Sequence, residues 1–138
     1  MPNANSYKAL VVWQKGMDLA KQVYQLTETF PASEKYGLVA QMRRAGVSVP
    51  SNIAEGQARR SRREFIQFVS HAEGSAAELE TQLILSTELG FCSRARVQTT
   101  LDLIEEVRKM LFALRRRLAT NNLQLTTNFY AQRILLAR

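Results

Sequence analysis

The sequence predicts an all-α protein, an antiparallel, up-down-up-down four-helix bundle, and three observations predict it. Apolar residues recur at spacings of three and four along four long stretches, the period of a helix that buries one side. Each stretch is closed by a proline or glycine, or opened by a serine placed to cap it. The connections between stretches are short, which leaves successive helices side by side and oppositely directed. A chain of 138 residues, 46% of them hydrophobic, can bury such a core without disulfides or metals.

The first helix is expected from Lys8 to Phe30. Leu19, Val23, Leu26 and Phe30 form one apolar row, and Trp13, Met17, Ala20, Tyr24 and Thr27 form a neighbouring one. Pro31 ends it, because a proline disfavours helical geometry in the residue before it. The second helix is expected from Ser33, as N-cap, to Glu55, with Glu34 in the first turn, where the helix dipole favours an acid. Leu38, Met42, Ala45, Val49 and Ile53 are its apolar row, and Gly56 is expected to stop it. Pro50 falls inside this pattern, but the rows continue past it, so a kink is expected rather than an end.

Ser61-Arg62-Arg63-Glu64 fits the capping box and opens a third helix that runs to Leu89, where Gly90 stops it. Phe65, Val69, Ala72, Ala76, Leu79 and Leu83 line its core side, and the small residues of 72–77 permit a close helix approach. Ser93 caps the fourth helix, in which Val97, Leu101, Ile104, Val107, Leu111, Leu114 and Leu118 make the most regular row in the chain. Arg115, Arg116 and Arg117 lie in its last turn, where cations suit the dipole. Residues 1–119 therefore read as the bundle domain. Residues 120–138 read as a basic C-terminal tail or a short extra helix carrying Phe129, Tyr130, Ile134, Leu135 and Leu136.

The net charge of +7 is unevenly spread. Residues 1–39 carry +1, residues 40–63 carry +5, residues 64–107 carry −6 and residues 108–138 carry +7. Two basic blocks of this kind suit a polyanionic partner; the plainer alternatives are a solvated surface or an intersubunit partner for the acidic segment. The single cysteine, Cys92, cannot form an internal disulfide, in keeping with a reducing compartment. No stretch approaches the roughly 20 apolar residues that span a bilayer. The first residues, Met1 to Ser6, lack the basic and apolar regions of a signal peptide. A cytoplasmic protein with no membrane association is expected.

A simple bundle does not need the polar rows that remain. Gln41, Arg44, Ser48, Asn52 and Glu55 share one side of the second helix, with Ser51 beside them. His71, Ser75, Glu78 and Gln82 share one side of the third. An ordinary solvent face is richer in Lys and Glu. Short polar groups at helical spacing suit a hydrogen-bonded contact, either between helices or between subunits, that helps fix register.

Several segments, in order along the chain, resemble one family. They are Val12-Trp13-Gln14-Lys15, Phe30-Pro31-Ala32-Ser33-Glu34, the whole of Tyr36–Gly56 (YGLVAQMRRAGVSVPSNIAEG) and Gly74–Leu83 (GSAAELETQL). Together, over about residues 8–118, they look like the 23S rRNA intervening-sequence protein family. The resemblance implies a four-helix bundle that assembles as a ring-like homopentamer, encoded within insertions in bacterial 23S rRNA genes or standing alone in genomes. The family is also similar, at the level of fold, to the accessory variability protein of diversity-generating retroelements, a basic pentameric bundle that binds nucleic acid and a reverse transcriptase.

The leading functional expectation is thus an oligomer that binds nucleic acid, structured RNA above DNA, through Arg43, Arg59, Arg60, Arg62 and Arg63. The planar fork of arginine matches two phosphate oxygens, so the contacts would be salt-sensitive and weakly sequence-specific. No RRM or KH signature is present, and the basic loop has no interleaved aromatic. Arg44 lies on the polar row and is expected to pair with Glu55 or Glu78. The alternative is a scaffold whose charges serve self-assembly. An enzyme is not expected. His71 is the only histidine, Cys92 has no evident base near it in sequence, and no Gly-rich phosphate loop or Glu-x-x-His pair occurs. No cofactor, metal or small-molecule substrate is expected.

Overall fold

The computed structural model describes residues 5–120, and the tail expected after residue 119 falls, beyond Thr120, outside the described residues. Among the described residues there are four α-helices and no strand. They are α1 (Val11–Thr27), α2 (Leu38–Ala58), α3 (Arg62–Glu88) and α4 (Arg94–Thr120). Short 3-10 turns at Tyr7–Ala9 and Ala32–Glu34 precede α1 and α2. Each helix packs on two neighbours, α1 on α2 and α4, α3 on α2 and α4, which closes the four around one core.

The core is built from the apolar rows. Leu19 and Val23 of α1, Met42, Val49 and Ile53 of α2, Val69, Leu79 and Leu83 of α3, and Val97, Ile104, Val107 and Leu111 of α4 are fully buried. Polar pairs set the register between helices. Glu80 of α3 meets Arg108 of α4 at 3.0 Å, and one helix stretch away Glu73 meets Arg115 at 2.9 Å, so partner numbers fall as positions rise. Lys15 of α1 reaches Glu106 of α4 at 2.9 Å.

Helix limits depart from the sequence reading in three places. α1 is shorter than Lys8–Phe30 at both ends: the chain enters through a 3-10 turn in which Ser6 Oγ accepts from the Lys8 amide, and the helix closes at Thr27, ahead of Pro31, where the Phe30 amide turns back onto the Thr27 carbonyl at 3.1 Å. α2 starts at Leu38 rather than after a Ser33 cap, because Ser33 is taken up by the 3-10 turn. The cap comes instead from Glu34, whose carboxylate accepts from the Leu38 amide at 3.1 Å. Gly56 does not stop α2, which runs on to Ala58. A stop glycine takes the left-handed backbone, as Gly90 does at φ 78°; Gly56 is instead buried where a Cβ would lie 2.6 Å from Phe68 Cβ.

The remaining punctuation follows the sequence. Ser61 Oγ accepts from the Glu64 amide and Ser93 Oγ from the Arg96 amide, capping α3 and α4. α2 continues through buried Pro50. Opposite it lies Gly16, where a Cβ would sit 3.4 Å from the proline's Cβ, so a glycine lets α1 approach α2 at the one residue that cannot donate a backbone hydrogen bond. The small residues of α3 divide in use: Ala72 and Ala76 are buried, whereas Gly74 faces open space. No helix among the described residues is long and apolar enough to cross a membrane.

Candidate nucleic-acid interface

Four chain segments meet at one end of the bundle. The short connection after Ala58 carries Arg59 and Arg60, and α3 begins at Arg62 and Arg63. The N-terminal segment is held beside it, since Gln57 Nε2 donates to the Asn5 carbonyl at 2.6 Å. The last turns of α4 are there too: Met110, Ala113, Leu114 and Arg117 line a cleft with Leu10, Val11 and Val12 at the start of α1. Part of each basic block is therefore brought to one end, where Arg116 and Arg117 of α4 join the arginines of the loop. Arg60, Arg63, Arg116 and Arg117 are exposed, and none has an acidic partner among the described residues.

Arg43, expected with the loop arginines, is not brought to them. It lies on α2 about 24 Å from Arg59 at the rise of an α-helix, and its guanidinium is engaged. Its Nε donates to Thr27 Oγ1 at 3.0 Å, its Nη2 pairs with Glu28 at 3.3 Å, and the group lies 4.5 Å from the Tyr24 ring centre. Arg43 thus clamps α2 to the end of α1. Arg59, at the mouth of the arginine loop, is also held: it pairs with Glu55 at 3.4 Å and lies 5.1 Å over the Phe68 ring.

The two polar rows do meet, and they do so within one chain. Ser75 Oγ of α3 donates to Ser48 Oγ of α2 at 3.1 Å, Asn52 Nδ2 donates to the Ser48 carbonyl and hydroxyl, and Arg44 pairs with Glu78 at 3.6 Å. Of the two acids expected for Arg44, the structure selects Glu78. Gln82 Nε2 donates to Glu78 at 3.3 Å, and its Oε1 is buried without a partner among the described residues. Gln41 is exposed at the start of the row. The α2/α3 face is thereby a single polar surface running from Arg44 and Glu78 toward the arginine end.

Sequence reasoning missed two features. The first is aromatic: Phe68 lies under Arg59, and His71 stands 5.9 Å from Phe68, nearly edge to face. They follow the basic loop by one to two helical turns, so a search for aromatics interleaved within it passes over them. The second is an open groove of about 640 Å³ between α1 and α2, lined by Trp13, Met17, Tyr24, Val47, Pro50 and Ala54 among others. The second apolar row of α1 is therefore only half covered. Cys92 is buried and unpaired in the α3–α4 connection, as a small packing residue. Among the described residues no group of three or more His, Cys, Asp and Glu could hold a metal ion.

Comparison with known proteins fits this architecture. The chain finds no match among the curated proteins. It is similar to a solved structure from Bacteroides thetaiotaomicron VPI-5482, a protein of unknown function from the S23 ribosomal protein family. The two are 26% identical with a TM-score of 0.70, over 76% of this chain and 98% of that one. The family model described as 23S rRNA-intervening sequence protein matches residues 8–113, spanning all of α1 to α3 and most of α4. The chain belongs to the 23S rRNA-intervening sequence protein family.

Proposed function

We propose that this protein binds RNA through the arginine-bearing end of its bundle and does so as a homo-oligomer, with a binding rather than a catalytic role. The observation that carries the reading is the meeting of the α2–α3 loop with the end of α4, with Arg60, Arg63, Arg116 and Arg117 exposed and without acidic partners among the described residues. Unneutralised guanidinium groups on one surface favour phosphate, because each releases counterions from the nucleic acid. Arg43 and Arg59 are occupied elsewhere, so phosphate contacts fall to the other loop arginines and the end of α4. An antiparallel, up-down-up-down arrangement supports this reading, since it brings the α2–α3 loop beside the end of α4. The descending pairs Glu80–Arg108 and Glu73–Arg115 support that arrangement. The family's name, with its reference to 23S rRNA, agrees with an RNA partner.

Self-association is supported by the apolar groove between α1 and α2 and by the exposure of Ile84, Leu85, Leu89 and Phe112. The family resemblance suggests five copies, and a cytoplasmic location suits an RNA partner. The scaffold alternative, in which the charges serve self-assembly, draws on the same exposed apolar residues. A gel-shift titration with an RNA hairpin separates the two. RNA binding predicts a shift whose affinity falls roughly 10- to 100-fold between about 50 and 200 mM salt; no shift at the lower salt sinks it. Sedimentation equilibrium tests the assembly, with five times the 15.7 kDa chain mass expected. A monomer at every concentration would remove the oligomer.

A further inference from the structure

A surface that only neutralises phosphate needs cations and no ordered planar groups. The arginine end has both. Arg59 is held twice, by Glu55 at 3.4 Å and by the Phe68 ring at 5.1 Å, so its guanidinium is kept over the ring rather than swinging in solvent. The Arg59 side chain nonetheless keeps 45% of its exposure. On Phe68 in turn the exposed imidazole of His71 stands edge-on, with ring centres 5.9 Å apart at 72°. Phe68 itself is anchored, because its Cβ fills the space that Gly56 leaves open on α2. The arrangement is a shelf of guanidinium, phenyl and imidazole groups, its rings one to two turns along α3 from Arg63.

We infer that Arg59, Phe68 and His71 form a stacking site for an unpaired nucleobase, making the arginine end selective for single-stranded RNA over duplex. The inference rests on the RNA-binding reading above and adds to it the form of RNA recognised. Bases in single strands stack on aromatic rings and on arginine planes, while a duplex hides its base faces inside the helix and offers only its backbone. Pre-ordering matters, because a shelf already locked by Glu55 and Gly56 loses little side-chain freedom when a base lands on it. The neighbouring arginines would hold the flanking phosphates. The α2/α3 polar row continues from the shelf, with Asn52 and the Ser48–Ser75 pair next along it, which gives the strand a hydrogen-bonding path instead of an apolar wall.

The test compares a 12-nucleotide unpaired RNA carrying one 2-aminopurine with a perfect duplex of the same sequence, on the full chain at low salt. The single strand is expected to bind tighter, with quenching of the 2-aminopurine as the base stacks. His71→Ala and Arg59→Lys are each expected to weaken single-strand binding roughly tenfold and to relieve the quenching, while duplex affinity moves by less than about threefold. Both positions are at the surface, and circular dichroism checks that the fold is kept. If both RNAs bind wild type equally, or the variants weaken both alike without changing the quenching, the stacking site is wrong and the arginine-end reading stands. If neither RNA binds wild type, the RNA reading itself fails and takes the stacking site with it.

Discussion

The two ends of the bundle use arginine in opposite ways. At the end formed by the Thr27–Leu38 and Leu89–Ser93 connections, two arginines are internal braces. Arg43 ties α2 to Thr27, Glu28 and Tyr24, and Arg96 of α4 donates to Thr29 Oγ1 at 2.7 Å. Phe30 packs on Phe91 between them, at 5.9 Å. At the other end Arg60, Arg63, Arg116 and Arg117 meet no acid among the described residues. What distinguishes the two sets is the company the fold supplies. An arginine beside the end of a helix that carries hydroxyls and an acid becomes part of the structure. Arg60, Arg63, Arg116 and Arg117, set among other cations, are left for a partner.

The largest effect that would sharpen this contrast is on binding. Arg60→Glu/Arg63→Glu is expected to lower RNA affinity roughly 100-fold at about 0.1 M salt, about 2.7 kcal/mol, and to flatten the salt dependence. Its melting temperature should stay near wild type, because exposed positions without partners contribute within about 0.5 kcal/mol. Filter binding and thermal denaturation monitored by circular dichroism measure the two halves. Equal RNA affinity in variant and wild type would break the contrast at its functional end.

Next in size is the packing that holds the arginine end together. Gly56→Ala places a methyl group 2.6 Å from Phe68 Cβ and 3.3 Å from the Phe65 ring. Overpacking of about 3 kcal/mol, offset by about 1 kcal/mol of helix propensity, leaves a loss of about 2 kcal/mol and a melting temperature roughly 8 °C lower. Gly74→Ala, in the next helix, meets nothing within 4 Å and is expected to stabilise by about 0.5–1 kcal/mol through propensity alone. Two glycines on packed helices should thus respond with opposite signs in the same melting experiment.

These glycines also show where sequence reading reaches its limit. The four helices, their core rows and the serine caps of α3 and α4 were legible, because period and capping are properties of a single helix. Gly56 was misread as a helix stop because a glycine needed for close approach and one needed for positive φ are the same letter; only Phe68, in the next helix, tells them apart. Glu34 caps α2 through a side chain four residues ahead, across a 3-10 turn that the pattern of Ser33 and Glu34 does not announce. Of the candidate site, the loop arginines and the matching polar rows were visible, but their joining on one α2/α3 face depends on register between helices. The occupation of Arg43 depends on Thr27 and Glu28, 16 and 15 residues away in sequence.

The far end makes a smaller prediction of the opposite kind. Arg43→Ala is expected to lower stability by about 1–1.5 kcal/mol, because it removes a hydrogen bond to Thr27, an ion pair and a stacked contact with Tyr24. RNA affinity should stay within about twofold, the loss of one distant cation being a weak long-range effect. A large fall in affinity with unchanged melting would make Arg43 a binding residue and erase the distinction between the ends.

The smallest effect lies on the polar row between them. Gln82 is buried at 6% exposure; its Nε2 faces Glu78 Oε1 at 3.3 Å and its Oε1 meets no donor among the described residues. Turning the amide over would set its oxygen against the carboxylate, so the unpartnered oxygen is a property of the site and not of the assignment. A buried acceptor without a partner costs more than a long hydrogen bond to a half-exposed acid returns. Gln82→Met, similar in volume and free of polar atoms at the buried tip, is therefore expected to stabilise the isolated chain by about 0.5–1 kcal/mol, read as a rise of a few degrees in melting temperature. A fall instead would mean that the Glu78 contact outweighs the orphaned oxygen. The polar row would then contribute to holding α2 on α3, as the Ser48–Ser75 bond already does, in addition to flanking the arginine end.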